Sequence, residues 1–197
     1  MKDLVIATNN QGKAREYEKM FAPMGFTIHT LKDFDPITIN EDGATFEENA
    51  TIKATTVMNT LSIPVIADDT GLMVDALNGE PGIHSARYAG DHDDLANRKK
   101  LLKELSNVPD EKRTAHFHTT IVALKPNGNK LVANGRVDGH ILHEAKGSNG
   151  FGYDPVFYVD VLNCSMAELT PEQKNKISHR GNALRELMNN FDKWWNN

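Results

Sequence analysis

The segment Ile63-Pro64-Val65-Ile66-Ala67-Asp68-Asp69-Thr70-Gly71 is a short apolar run that ends in two adjacent carboxylates, a hydroxyl and a glycine. The run predicts a buried strand, and the Thr-Gly pair predicts the turn that ends it. Acids at the carboxyl end of a strand are a frequent way for α/β proteins to bring reacting or metal-holding groups to a cleft. Side chains alternate along a strand, so Asp68 and Asp69 cannot both face the same way while the strand stays regular. One is expected to face the cleft, the other to turn inward onto backbone or a buried cation. A carboxylate that holds a metal beside a phosphate can position or deprotonate an attacking water. The plainer reading is two turn-forming aspartates that bond local N–H groups.

Working outward, residues 4–7 read as a first strand, residues 8–13 as a polar loop, and residues 12–22 as a helix on the spacing of Ala14, Tyr17, Met20 and Phe21. A second short strand is expected near residues 26–29. Thr45 and Glu48 have the spacing of a capping box, which opens a helix running to about Leu61. Residues 71–90 are glycine-rich and read as loop, and the leucines at 95, 101, 102 and 105 predict a helix over 93–106. Residues 115–125 and 130–143 read as two strands joined through Asn127-Gly128, a hairpin signal. A last helix is expected from Ser178 to Phe191. Strands and helices alternate early and a hairpin dominates later. The fold class is therefore α/β, a mixed β-sheet with flanking helices, with residues 1–197 as a single domain.

Composition narrows the function. The chain has 197 residues, 25% charged and 39% hydrophobic, the profile of a soluble globular protein. A net charge of −5 argues against binding a nucleic acid polymer through its phosphates, though not against a small anion held by a few local cations. Cys164 is the sole cysteine, so no disulfide can form within the chain and a cysteine zinc site is excluded. No stretch has the length of a membrane span or the layout of a signal peptide, so a cytoplasmic setting is expected.

Several groups could carry chemistry. The loop Thr8, Asn9, Asn10, Gln11, Gly12, Lys13 stands where a helix begins, and unsatisfied N–H groups with the helix dipole suit phosphate there. Its spacing is not that of a Walker loop. Glu41, Asp42, Glu47 and Glu48 form an acidic cluster, and Asn49 and Lys53 share a helix face. Mg²⁺ takes one or two carboxylates plus waters and phosphate oxygens, and Glu41 could supply one. The glycines on both sides of Phe151 leave room for a flat ligand against its ring, with Tyr153 and Asp154 able to add hydrogen bonds. The opposing reading buries Phe151 in the core. Lys174, Ser178, His179 and Arg180 surround the start of the last helix, with Ser178 as its cap. His116 and His118 share a strand face but lack a third ligand, which favours a plain structural role. Trp194 and Trp195 are expected to pack or to be disordered.

Taken together, these segments resemble the Ham1-like family of inosine triphosphate pyrophosphatases, also described as dITP/XTP pyrophosphatases. The matching stretches are Ala7 through Lys13, Thr45 through Ala50 with Lys53, Ile66 through Leu72, Pro81 through Tyr88, Gly150 through Pro155, and Ser178 through Gly181. Each is weak alone, but their order and spacing are specific. The resemblance implies Mg²⁺-dependent cleavage of inosine, deoxyinosine or xanthosine triphosphate to the monophosphate and pyrophosphate. It also implies an elongated sheet, two lobes around a substrate cleft, and a homodimer. By the same resemblance Asp69 is the catalytic acid/base and a metal ligand, with Glu41 the other metal carboxylate. Thr8, Asn9, Asn10, Gln11, Gly12 and Lys13 hold the triphosphate, and Lys53 and Thr70 touch phosphates. Phe151 stacks on the purine, Gly152, Tyr153 and Asp154 line its pocket, and Lys174, His179 and Arg180 contact the base. Thr70 stands where many members have Ser, and His84 where many have Tyr. A 6-keto purine offers an acceptor where adenine offers a donor, so donors from His179, Arg180 or backbone N–H groups would favour it. The alternative is a non-catalytic purine nucleotide-binding sensor; a structural module is a further one.

Overall fold

The computed structural model describes residues 2–197, the side chain of Gln11 excepted. Among them are seven strands: β1 (Lys2–Ile6), β2 (Phe26–Thr30), β3 (Val65–Val74), β4 (Thr114–Leu124), β5 (Lys130–Ile141), β6 (Phe157–Val159) and β7 (Cys164–Ser165). They form one sheet in the order β2-β1-β3-β4-β5-β6-β7. β1 runs parallel to both β2 and β3, with Val5 opposite Val65 and Ile6 opposite Ile66. β6 is antiparallel to β5 and to β7. The sheet is mixed, as expected. Five α-helices accompany it: α1 (Gln11–Phe21), α2 (Phe46–Leu61), α3 (Asp94–Glu104), α4 (Pro171–Ile177) and α5 (His179–Asn196).

The expected turn at Thr70-Gly71 is not there. β3 passes straight through Asp68, Asp69, Thr70 and Gly71 to Val74, so the acids lie within the strand and not at its end. Two features override the turn chemistry. Thr is a β-branched residue that suits a pleated surface. Beyond the glycine, Leu72 and Val74 bury while Met73 lies partly exposed, the alternation of a strand. The split of the acids survives this change: Asp68 is buried and Asp69 is partly exposed.

The chain divides into two compact units, Met1–Asp69 with Thr120–Ala133 and Glu186–Asn197, and Thr70–Thr119 with Asn134–Arg185. In the first, Val5, Val65, Ala67, Val122 and Leu124 of the sheet, with Ala7 just beyond β1, pack with Ala50, Ala54 and Val57 of α2. Small residues on that helix face let it approach the sheet closely. An aromatic cluster of Phe21, Phe26, Phe191, Trp194 and Trp195 anchors the end of α5, so both tryptophans pack. In the second unit, Leu72, Val74, Leu101, Leu105, Phe117, Tyr153 and Phe157 are among the core residues.

Caps set the helix boundaries. Thr45 Oγ1 accepts from the Glu48 N–H at 3.1 Å and opens α2. The Glu48 carboxylate reaches the Ala44 N–H at 2.7 Å, one residue further back than a reciprocal capping box requires. α4 was not anticipated, although Thr170, Pro171 and Gln173 spell a capping box with proline at the first helical position. β6 and β7 are three and two residues long, too short for any periodicity to announce them. No helix among the described residues is long and apolar enough to cross a membrane.

Candidate active site

In the first unit the acid-bearing strand is met from two sides. From the first turn of α1, Lys13 Nζ reaches Asp68 Oδ2 at 2.5 Å, with Asp68 only 3% exposed. This is the inward aspartate, and its partner is a partly buried lysine. From α2, Asn49 donates to Asp69 Oδ2 at 3.3 Å, and Lys53 donates to the Asp68 carbonyl oxygen at 3.0 Å. Lys53 also pairs with Glu41 at 3.0 Å. Four residues separate Asn49 from Lys53, so both project from one face of α2 toward β3. The remaining acids of the cluster have other tasks: Glu47 pairs with Lys130 at 2.9 Å, and Glu48 caps α2.

Asp69 is the electrically unusual member. Burial raises its carboxyl pKa above the ordinary value, the Lys53 charge and the Asn49 hydrogen bond oppose this, and the neighbouring charges of Glu41 and Asp68 raise it further. A carboxylate held upward by burial and by like charge is one that an added cation would stabilise. Glu41 and Asp69 are hard oxygen donors of the kind Mg²⁺ takes, and the pair leaves its other positions to water and phosphate. The residues therefore fit a divalent ion. No group of three or more His, Cys, Asp or Glu side chains able to hold a metal occurs among the described residues.

The glycine-containing loop departs from expectation. The N–H groups of Gly12 and Lys13 are not left open at the start of α1. Both donate to Asn10 Oδ1, at 2.8 and 3.2 Å. Asn10 is the N-cap of α1, a role for which asparagine is among the best residues. Its own N–H donates to Thr8 Oγ1 at 3.1 Å. A phosphate using those two backbone donors must replace the Asn10 oxygen. Thr8 is buried, Asn9 is exposed, and the side chain of Gln11 lies outside the described residues.

The second unit gathers the other candidates. Phe151 is 53% exposed, not buried in the core. Its ring has Lys174 Nζ 4.9 Å and Arg180 Cζ 5.9 Å from its centroid. Asp154 sits buried behind the loop, where its Oδ2 accepts from the Phe151 N–H at 2.9 Å and from Lys174 Nζ at 2.5 Å. Tyr153 is also buried, its hydroxyl donating to the Ser85 carbonyl oxygen at 2.9 Å. Both act as supports to the Phe151 loop. Two residues that sequence reasoning missed join them. Arg98 Nη1 donates to the Gly152 carbonyl oxygen at 2.6 Å, and the Gly152 N–H donates to Asp94 Oδ2 at 2.7 Å. A spacing of four on α3 puts these two residues on one face, a readable signal, but their partner lies more than fifty positions away. At the start of α5, Ser178 Oγ accepts from the Gly181 N–H at 3.1 Å, as a cap should. His179 stacks on Phe117 with centroids 4.7 Å apart. His179 and Arg180 are buried. Thr70 shares a hydrogen bond with Thr119, Oγ1 to Oγ1, at 2.8 Å.

The first set of residues suits phosphate oxygens and a hard divalent cation; the second offers an aromatic face among cations, which suits a flat ring. Together with the mixed sheet they define the class as an α/β nucleotide-handling protein. Comparison with known proteins makes this particular. The family model described as the Ham1 family matches residues 4–190, and the chain belongs to that family. A relative from Lactiplantibacillus plantarum, named dITP/XTP pyrophosphatase, is 62% identical over 193 residues, which cover 98% of this chain and 96% of that one. The solved structure of a HAM1 protein from Coxiella burnetii superposes with a TM-score of 0.92 at 38% identity, covering 98% of this chain and 100% of the other. That of the Staphylococcus aureus Ham1 protein gives 0.89 at 45% identity, covering 98% and 99%.

Proposed function

We propose that this chain hydrolyses noncanonical purine nucleoside triphosphates (ITP, dITP and XTP) to the monophosphate and pyrophosphate, clearing them from the nucleotide pool. The observation that carries the reading is the environment of Asp69, a carboxyl raised by burial and by Glu41 yet held by Asn49 and faced by Lys53. Such a group, once ionised, can accept a proton from water beside a phosphate.

In this reading Glu41 and Asp69 would hold Mg²⁺, which when bound would supply charge neutralisation for the triphosphate oxygens. The chain's own residues do the rest. Asp69 orients a water toward the α-phosphate and takes its proton. Asp68 is a support, its charge already spent on Lys13. Thr8, Asn9, Asn10, Gln11, Gly12 and Lys13 take the triphosphate, and Lys53 and Thr70 touch its phosphates. Phe151 stacks on the purine, carried by Gly152, Tyr153 and Asp154. Lys174, His179 and Arg180 meet the base, and donors from this group match a 6-keto oxygen and reject the amino group of adenine, since a buried donor left unmatched costs about 1–3 kcal/mol. Residues 1–197 act as one domain in this reading. A homodimer and a cytoplasmic setting belong to the same reading, supported by the family resemblance and by the lone Cys164. Sedimentation of the purified chain tests the dimer.

Asp69→Asn keeps the shape of the side chain and removes the base. Turnover of ITP should fall by about 100-fold or more, the usual scale for a general base, with the thermal midpoint nearly unchanged. Turnover close to the parent's would remove Asp69 from the chemistry.

A further inference from the structure

We propose that Asp94 and Arg98 of α3 are positioning residues for base recognition, clasping both backbone polar groups of Gly152 and thereby fixing the ring of Phe151. This rests on the reading that Phe151 stacks on the base.

The loop needs such a hold. Gly147, Gly150 and Gly152 all take positive φ, at 80°, 76° and 61°. A segment so rich in glycine has wide conformational freedom, and an exposed ring on it would sample many directions. A ligand meeting a mobile ring must order it on binding and loses affinity by that amount. Three contacts remove the freedom. Asp154 accepts from the Phe151 N–H at 2.9 Å, Asp94 accepts from the Gly152 N–H at 2.7 Å, and Arg98 donates to the Gly152 carbonyl oxygen at 2.6 Å. Two of the three come from a single helix face, so α3 sets the orientation of the peptide groups flanking Gly152. The positive φ of Gly152 turns that residue's N–H and C=O toward the helix, and a Cβ at Gly152 would meet nothing within 4 Å. The glycine is required by backbone conformation and not by crowding. Each of these bonds involves a charged side chain, the stronger kind of hydrogen bond.

The test is a double-mutant cycle on binding of α,β-methylene inosine triphosphate, which resists cleavage, with inorganic triphosphate as the probe that lacks a base. Phe151→Ala and Arg98→Ala should each weaken the analogue by about tenfold. The double variant should bind no more weakly than Phe151→Ala alone, because Arg98 acts only through the ring. Inorganic triphosphate should bind all three variants as it binds the parent. Arg98→Lys, which can still donate to the carbonyl, should recover part of the loss. If Arg98→Ala does not fold, Asp94→Ala removes the other half of the clasp from an exposed position and should give the same pattern. Parent-like binding by Arg98→Ala, losses that multiply in the double variant, or an equal loss for inorganic triphosphate would overturn the proposal. Parent-like binding by Phe151→Ala would instead remove the stacking reading on which it rests.

Discussion

Asp68 and Asp69 are adjacent in sequence and differ in every physical respect. Asp68 is buried against a lysine ammonium, so its charge is matched within the fold. Asp69 has an amide donor and a lysine in its field but no direct ion pair of its own among the described contacts, and burial together with Glu41 disfavours its charge. The pair thus separates into an aspartate whose charge is matched and one whose charge is disfavoured. Glycines divide in the same way. A Cβ on Gly150 would lie 2.1 Å from Asp154 Oδ2, on a backbone with φ of +76°. Gly152 carries the positive φ without the crowding. Gly150→Ala should therefore destabilise by about 3 kcal/mol, from strain plus displacement of a buried carboxylate, and Gly152→Ala by only about 1 kcal/mol. Urea denaturation of the two variants checks the order; equal losses would show that Asp154 yields without cost.

At the scale of elements, β5 and the start of α5 meet backbone to backbone. A Cβ on Gly135 of β5 would stand 1.9 Å from the His179 carbonyl oxygen and 2.3 Å from the Ala183 nitrogen. Gly135→Ala must push α5 away, taking His179 and Arg180 with it. A loss of about 2–4 kcal/mol in stability is expected, together with weaker binding of inosine triphosphate analogues. Calorimetry on the variant tests both, and unchanged binding would separate these two side chains from the base. β4 makes a pH prediction. Burial lowers the pKa of His116 and of His118 below the ordinary 6.5, Arg136 adding to the effect at His116 and the Asn134 hydrogen bond opposing it at His118. The folded state holds both rings neutral, so the unfolded chain binds protons first as pH falls. Their contribution is complete above about 6.5 and is lost as pH drops below that toward the lowered folded values. His116→Gln with His118→Gln should flatten the decline in stability between pH 8 and pH 5. An unchanged slope would assign acid sensitivity to other groups.

These elements also show what a sequence discloses. The boundaries of α1, α2, α3 and the β4–β5 pair fall within a few residues of their expected positions, because amphipathic spacing, caps and Asn127-Gly128 are local signals. The end of β3 did not, because Thr70-Gly71 spells a turn locally while Leu72 and Val74 find a core only in the folded chain. The open N–H groups expected before α1 were wrong for a local reason that was readable: Asn10 is itself a good cap. In the clasp of Gly152 by α3, only the shared helix face of Asp94 and Arg98 was readable; their partner was not, since no motif connects it to them.

For the molecule as a whole, membership of the Ham1 family and the chemistry of the two residue sets converge on one activity. The first unit brings Asp69 near Glu41 and Lys53, and the second exposes the Phe151 ring near Lys174 and Arg180. A sensor that binds without turnover would share the second set but would have no use for a raised carboxyl at Asp69. The most direct test incubates the purified chain with ITP, XTP, ATP and GTP, with Mg²⁺ or with chelator, and identifies the phosphate product. The account predicts the monophosphate and pyrophosphate from ITP and XTP, slow or no reaction with ATP, and loss of activity in chelator. Orthophosphate as the primary product, or binding of ITP without any turnover, would contradict it.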